Sequence, residues 1–167
     1  MIALGTAGSY YVAIFWGLPL WIAGRRNDAI DLTLLIIMDG LLLSFVKGIF
    51  EVPRPDIGVM LAVPLADASG YSFPSGHTTR AFAAALILSI RLDKTQWRVT
   101  VFGLAAAVGI SRVYVGAHWP ADIAAGVFFG MTWSYAFERG TRLRFYSKWR
   151  SFCAELAPHF WPRRAAR

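Results

Sequence analysis

Long apolar runs separated by short polar intervals dominate the chain. Five of them are candidate membrane spans, since a bilayer core of roughly 30 Å needs about 20 mostly apolar residues in a helix. The intervals are brief except for residues 51–73, where prolines and glycines predict an irregular loop with room for one short helix. The pattern predicts an all-α integral-membrane helical bundle of about five spans, with a sixth left open. The five runs cover residues 8–23, 30–50, 75–90, 99–115 and 120–137.

Composition narrows the class of protein. The 167 residues suffice for one domain, 56% of them are apolar, and the formal net charge is +7. A basic, apolar chain is either a membrane protein or a nucleic-acid binder, and here the charges lie between the apolar runs, so we expect no nucleic-acid partner. The single cysteine, Cys153, excludes an intrachain disulfide and a thiolate metal cluster. The sequence indicates no oligomeric state.

Basic residues predict the orientation of the bundle. They follow the first, third and fifth runs, and the positive-inside rule places such intervals in the cytoplasm. The loop at 51–73 and the turn at 112–119 then face the extracytoplasmic side of what we expect to be the plasma membrane. The orienting residues are Arg25, Arg26, Arg91, Lys94, Arg98, Arg139, Arg142, Arg144, Lys148 and Arg150.

The C-terminal segment differs from the rest of the chain. We divide the sequence into a transmembrane domain at 1–142 and a basic, aromatic tail at 143–167. The tail is too polar to span a bilayer, and an interfacial helix over 143–161 on the anionic inner leaflet is the favoured interpretation. A partly disordered basic tail is the alternative.

His118 and Asp122 form the first candidate for catalytic chemistry. A histidine becomes a nucleophile when one ring nitrogen is free and an acceptor holds the other. Asp122 follows four residues later, and Pro120 between them suits the first position of a helix. Asp122 would then lie in a first helical turn, where the helix dipole favours its ionised form. A purely structural histidine–aspartate hydrogen bond is the alternative.

Ser75, Gly76 and His77 begin the third apolar run. Glycine lets a ligand approach the backbone, and free amides at a helix N-terminus bind anions. The Ser75 hydroxyl can donate to the same anion, and His77 is placed to protonate a leaving oxygen. A plain helix cap with a neighbouring histidine is the alternative.

Three cations lie on the predicted outer face, against the orienting rule: Lys47, Arg54 and Arg112. One such residue would be explained by snorkelling to the interface. Ionisable groups within a membrane are costly, so three together indicate a shared anion. Arginine in particular suits bidentate contact with phosphate.

Taken together, these segments resemble the three-part signature of the type 2 phosphatidic acid phosphatase superfamily. The matching motifs are Lys47-x6-Arg54-Pro55, Pro74-Ser75-Gly76-His77 and Ser111-Arg112-x5-His118-x3-Asp122. The resemblance implies a mechanism without metal or other cofactor, in which His118 attacks phosphorus, Asp122 supports it and His77 protonates the leaving group. It also implies that the phosphate is held by Lys47, Arg54, Ser75, Gly76 and Arg112, with Ser111 a weaker member. Membrane members commonly have six spans, and the one missing here would be the first.

Two further charges lie within apolar runs, Asp39 in the second and Arg80 one turn after His77. Buried charges in membranes are usually paired. We therefore predict an Arg80–Asp39 contact, or a role for Arg80 as an extra phosphate or pyrophosphate ligand.

The sequence thus predicts a membrane phosphatase that acts on a lipid phosphate or diphosphate at the outer face, in contact with the bilayer. Undecaprenyl diphosphate, phosphatidylglycerophosphate and phosphatidate are the candidate substrates. A transferase that moves the phosphoryl or headgroup to another lipid is an alternative. A non-catalytic anion binder is another, although binding alone needs cations and not a nucleophile with its orienting partner.

Overall fold

The computed structural model describes residues 13–55 and 70–156, and over these residues the protein is all helical. Four long helices coincide with the second to fifth predicted runs, with boundaries shifted by a few residues. The elements are a 3-10 turn Ile14–Gly17, α1 Leu18–Ile22, α2 Arg26–Phe50, α3 Gly76–Arg91, α4 Thr95–Tyr114, α5 Pro120–Thr141 and α6 Arg144–Leu156.

The first predicted run is helical over most of its described part. Residues 8–12 lie outside the described residues, and the chain from Ala13 continues through the 3-10 turn directly into the five-residue α1. Gly17 ends the 3-10 turn and lies against α2, where a Cβ atom would stand 2.6 Å from Thr33 Oγ1 and 2.9 Å from the Ala29 carbonyl oxygen. The chain therefore approaches α2 closely at this glycine.

α2 ends where the chain turns toward the candidate site. Glu51 adopts the left-handed conformation (φ 48°), and its N–H donates to the Lys47 carbonyl at 3.0 Å, which caps the helix. Pro53 follows and cannot continue a helix. The short helix considered for the 51–73 loop would fall largely in residues 56–69, which are outside the described part of the chain.

α3 lies at the centre of the bundle and packs against α5, α4 and α2. Its core positions are mostly small, with Ala81, Ala83, Ala84 and Ala85 all buried. Small side chains let neighbouring helices approach closely, which is the usual basis of helix packing in membranes.

α2 is the one helix in the described residues that combines sufficient length and apolarity for a membrane span, with a mean hydropathy of 2.1 over its most apolar window. α3 has only 16 residues, or about 24 Å of helix. It also buries polar side chains, including Thr78, Thr79 and Ser89. A helix enclosed by other helices does not have to be apolar all round, because little of it faces lipid.

The outer surfaces of the helices around α3 carry large apolar side chains. Leu41 and Phe45 of α2 are 71% and 68% exposed, and Phe128 of α5 is 65% exposed. Many exposed large apolar side chains are typical of a protein that contacts a membrane or a partner. The predicted tail helix forms over Arg144–Leu156 and also exposes Phe145 and Phe152. Its interfacial location stays a prediction.

The interface between α3 and α5 depends on two glycines of α5. A Cβ atom on Gly126 would stand 2.9 Å from Thr78 Cβ, and one on Gly130 would overlap the Thr79 carbonyl oxygen. Each glycine therefore lets the α5 backbone lie directly on α3.

We expect Gly130→Ala to lower the free energy of unfolding by about 1–3 kcal/mol, because the added methyl group forces α3 and α5 apart. Gly140→Ala is the matched control in the same helix, since a Cβ atom there meets nothing within 4 Å. Alanine is the better helix former, so this control should be neutral or slightly stabilising. Thermal unfolding of both variants in detergent measures the difference, and equal stability would contradict the packing account.

Candidate active site

The three segments singled out in the sequence meet at one end of the bundle. The Arg54 guanidinium donates to the Ala117 carbonyl at 2.8 Å, and the Trp119 indole N–H donates to the Pro53 carbonyl at 3.2 Å. The Ser75 backbone N–H donates to the Asp122 carbonyl at 3.1 Å. These contacts join the loop after α2, the start of α3 and the start of α5, so the predicted residues share one site.

His118 is held between a carboxylate and a guanidinium. Its Nδ1 atom lies 3.3 Å from Asp122 Oδ2, which also accepts the Trp119 backbone N–H at 2.9 Å. Its Nε2 atom lies 3.4 Å from Arg54 Nη1. Because a guanidinium only donates, Nε2 is the accepting nitrogen and Nδ1 carries the proton toward Asp122. This tautomer leaves the Nε2 lone pair for attack on an electrophile.

The first turn of α5 explains the placement of Asp122. Pro120 occupies the first helical position and Asp122 the third, where its side chain caps the Trp119 backbone. The carboxylate is 1% exposed, and His118 is 3% exposed. A single carboxylate therefore caps the helix and orients the histidine.

The surroundings of His118 favour its neutral form. Burial, followed by the positive charges of Arg54 and Lys47, lowers the pKa of His118 from 6.5 to about 3. Neutral imidazole is the nucleophilic form, so the site keeps His118 ready for attack over a wide pH range.

We expect the ligand-free His118 ring to stay neutral between pH 8 and pH 5. The unfolded chain takes up a proton below pH 6.5 that the folded state does not, so this group stabilises the fold fully above pH 6.5. That contribution is lost as the pH falls toward 3. NMR of histidine-labelled protein in detergent, with the signal assigned by its loss in His118→Ala, measures the titration. A midpoint near 6.5 would contradict the prediction.

Lys47 and Arg54 are positioned by backbone carbonyls. Lys47 Nζ donates to the carbonyls of Tyr71 at 2.6 Å and Ser72 at 3.3 Å. Arg54 Nε donates to the Gly70 carbonyl at 3.0 Å. Carbonyl oxygens are neutral acceptors, so these contacts fix the two cations without neutralising them. Burial lowers the pKa of Arg54, which is the cost of holding its charge in place.

Ser75 caps α3, as the sequence predicts. Its Oγ atom accepts from the Thr78 backbone N–H at 3.5 Å and from the Thr78 hydroxyl at 3.0 Å. Because Oγ accepts in both contacts, its own proton can still donate to an anion at the helix N-terminus. Gly76 and His77 follow directly, and His77 is half-buried within electrostatic reach of Arg112 and His118.

Ser111 lies beside Arg112. The Ser111 hydroxyl donates to the Val108 carbonyl at 2.6 Å and accepts from Arg112 Nε at 3.2 Å. Arg112 is 7% exposed. Ser111 is thus placed to hold this guanidinium in position, which suits the weaker role that the resemblance assigns to it.

The predicted Arg80–Asp39 contact is present. Arg80 Nη1 lies 3.6 Å from Asp39 Oδ2, and both residues are buried. The Arg80 guanidinium lies beside Gly76 at the start of α3.

Sequence reasoning missed a second buried charge cluster, at the opposite end of the bundle. Asp31 is fully buried and accepts hydrogen bonds of 2.7–2.8 Å from Arg91, Arg150 and Tyr146. Arg91 also pairs with Glu138 at 3.1 Å. Arg91 and Arg150, which the sequence predicts only as orienting charges, join α2, α3, α5 and α6. The one sequence signal is a second aspartate, Asp31, within the apolar run at 30–50.

No group of three or more His, Cys, Asp or Glu side chains that could hold a metal ion occurs in the described part of the chain. The residues gathered around His118 instead supply one nucleophile, one orienting carboxylate and several fixed cations. This arrangement can bind an anionic ester and attack it.

Comparison with known proteins agrees with this chemistry. A family model described as the PAP2 superfamily matches residues 28–146. Undecaprenyl-diphosphatase BcrC of Bacillus subtilis is 31% identical over 101 residues, which cover 60% of this chain and 51% of that protein. The chain spans about half the length of the curated relatives it matches.

Two crystal structures share the fold. LpxE of Aquifex aeolicus superposes with a TM-score of 0.73 at 30% identity, covering 83% of this chain and 82% of that one. The transmembrane PAP2 type phosphatidylglycerolphosphate phosphatase of Bacillus subtilis superposes with a TM-score of 0.68 at 24% identity, covering 86% and 77%. The predicted all-α integral-membrane bundle is therefore confirmed.

Proposed function

The chain belongs to the PAP2 superfamily, and from that membership and the geometry of its site we propose that it is an integral-membrane phosphatase of lipid phosphates or diphosphates. The observation that carries the proposal is the His118 ring, whose Nδ1 faces Asp122 and whose Nε2 faces Arg54. An anion binder has no need of this oriented, neutral imidazole beside its cations.

In the proposed reaction, His118 Nε2 attacks the phosphorus atom of the substrate. The N–P bond forms as the bond from phosphorus to the leaving oxygen breaks, and His77 gives that oxygen a proton. Asp122 stabilises the positive charge that develops on the imidazole ring. Water then attacks the phosphohistidine, releases inorganic phosphate and restores neutral His118. One proton of this water stays on the phosphate and the other returns to His77, so the cycle balances.

The cations bind the phosphoryl group while it is transferred to His118. Lys47, Arg54 and Arg112, with the Ser75 hydroxyl and the Gly76 backbone, hold its equatorial oxygens in this proposal. Charge on these oxygens is the main feature that a phosphoryl-transfer site must stabilise. Because carbonyl oxygens already position Lys47 and Arg54, little reorganisation is needed when the substrate arrives.

The proposed site faces the extracytoplasmic side of the plasma membrane. The basic residues at the end of the bundle opposite the site support this orientation, since positive charge favours the cytoplasm. The lipid substrate would reach the site from the outer leaflet. Undecaprenyl diphosphate, phosphatidylglycerophosphate and phosphatidate remain the candidates. The name of BcrC of Bacillus subtilis supports the first of them.

The test is phosphate release by purified protein in detergent from a panel of these three lipids, with and without EDTA. We expect release from at least one lipid, unchanged by the chelator. Loss of activity in EDTA would exclude the metal-free mechanism, and no release from any lipid would exclude the phosphatase. Adding an acceptor lipid separates hydrolysis from phosphoryl transfer, because a transferase would phosphorylate the acceptor instead of releasing phosphate.

A further inference from the structure

Two aspartates of α2 are fully buried, but only one of them has its hydrogen bonds satisfied. Asp31 accepts three short hydrogen bonds at the end of the bundle away from the site. Neither carboxylate oxygen of Asp39 has a hydrogen-bond partner among the described residues. Its ion-pair partner is Arg80, at 3.6 Å, which is beyond hydrogen-bond range. A buried carboxylate left in this state calls for an explanation.

The position of the Arg80 guanidinium explains why Asp39 lacks hydrogen-bond partners in the described part of the chain. Helical side chains point back toward the N-terminus of their helix, so Arg80 extends toward the start of α3. A Cβ atom on Gly76 would stand 3.1 Å from Arg80 Nη2 and 3.3 Å from Nη1. The charge of Arg80 also acts on His77 and on Lys47. The guanidinium therefore lies against the phosphate cradle as well as against Asp39, and is shared between them.

The charges of the substrate and the site indicate what Arg80, the fourth cation, binds. A phosphate monoester carries about −1.5 to −2 charges near pH 7, and the three positive charges of Lys47, Arg54 and Arg112 already exceed it. A diphosphate brings a second phosphate, joined through the oxygen that leaves. His77, which protonates that oxygen in the proposed reaction, lies between Gly76 and Arg80 in α3. The carbon of a simple monoester would offer Arg80 no acceptor at this place.

We infer that Arg80 binds the second phosphate of a lipid diphosphate in competition with Asp39, and that the site therefore selects diphosphates over monophosphates. This inference rests on the proposed function. In the reaction, the bond between the terminal phosphorus and the bridging oxygen breaks as His118 Nε2 bonds to that phosphorus. The bridging oxygen leaves as part of the lipid monophosphate and takes the proton from His77. Arg80 stabilises the negative charge on the other oxygens of this monophosphate.

The test compares one polyprenyl diphosphate with the monophosphate of the same polyprenol. Wild type should have the higher kcat/KM on the diphosphate. Arg80→Met keeps the length of the side chain without its charge, and should lower the diphosphate-to-monophosphate ratio of kcat/KM about 10- to 100-fold, the value of one charge-assisted contact. Arg80→Lys should restore part of the ratio. An equal loss on both substrates, or a wild type that prefers the monophosphate, would overturn the inference.

Binding of pyrophosphate and orthophosphate, measured by calorimetry in detergent, tests the same idea without turnover. Arg80→Met should weaken pyrophosphate binding about tenfold or more, and orthophosphate binding less. Asp39→Asn removes a competing negative charge, so it should tighten pyrophosphate binding. If both variants weaken it alike, the pair is only structural and the inference fails. If wild type binds pyrophosphate as expected but releases phosphate from no lipid, the proposed function fails and the binding role of Arg80 stands.

Discussion

Replacing His118 with alanine should lower the rate of phosphate release from the lipid substrate by about 10⁴-fold or more. Removing the nucleophile of a covalent mechanism eliminates the step itself, and only binding and electrostatic stabilisation remain. His118 is buried, with both ring nitrogens in contact with site residues, and no other described histidine shares that position. Rates of phosphate release by wild type and variant in the same detergent measure the effect.

Asp122→Asn tests the residue that orients His118, and it should have a smaller effect than His118→Ala. An amide can still contact the histidine but does not stabilise the imidazolium or fix its tautomer, so the expected loss is smaller, about 10²–10⁴-fold. Thermal unfolding of each variant controls for misfolding, which matters because Asp122 also caps α5. A His118→Ala protein that folds and keeps more than a tenth of the wild-type rate would refute the assignment of the nucleophile.

Asp31→Ala should cause the largest loss of stability, about 3–5 kcal/mol, because it removes the one fully buried carboxylate that accepts from Arg91, Arg150 and Tyr146 together. Asp31 is 0% exposed and accepts three hydrogen bonds of 2.7–2.8 Å. It ties α6 to the bundle through Tyr146 and Arg150, so we expect α6 to detach first. Chemical unfolding in detergent, followed by the fluorescence of the tryptophans, measures the change.

Asp28→Ala is the matched control one turn earlier in α2. Asp28 is 23% exposed and pairs with Arg25 at 2.7 Å and with Arg91 at 3.3 Å. Arg91 keeps Asp31 and Glu138 when Asp28 is removed, and partly exposed pairs contribute about 1 kcal/mol or less. This variant should therefore lose much less stability than Asp31→Ala, and comparable losses from the two substitutions would mean that the buried carboxylate of Asp31 stabilises the bundle no more than a partly exposed one.

The long helices and the site were predictable because their signals are local or fixed in spacing. Apolar runs bounded by prolines and charges located α2 to α5, and the three motifs located the residues that meet around His118. The Arg80–Asp39 contact was also predictable, since isolated charges in apolar runs have few partners to choose from.

Other features depend on contacts that no local pattern encodes. The partners of Asp31 lie 60, 115 and 119 residues away along the chain. Positive charge near a run end predicts orientation, and it does not reveal that Arg91 also turns inward to a buried carboxylate. The close approach of Gly17 to Thr33 and Ala29 likewise depends on how α2 packs against the first run.

The central claim, covalent catalysis by His118, is tested most directly by trapping the intermediate. Wild-type protein is mixed with a substrate labelled on its terminal phosphate and quenched within a single turnover under alkaline conditions, which preserve a phosphorus–nitrogen bond. We predict label bound to the wild-type protein and located on His118 by mass spectrometry, with none on His118→Ala. Label on another residue, or an unlabelled wild-type protein that still releases phosphate during the same interval, would contradict the account.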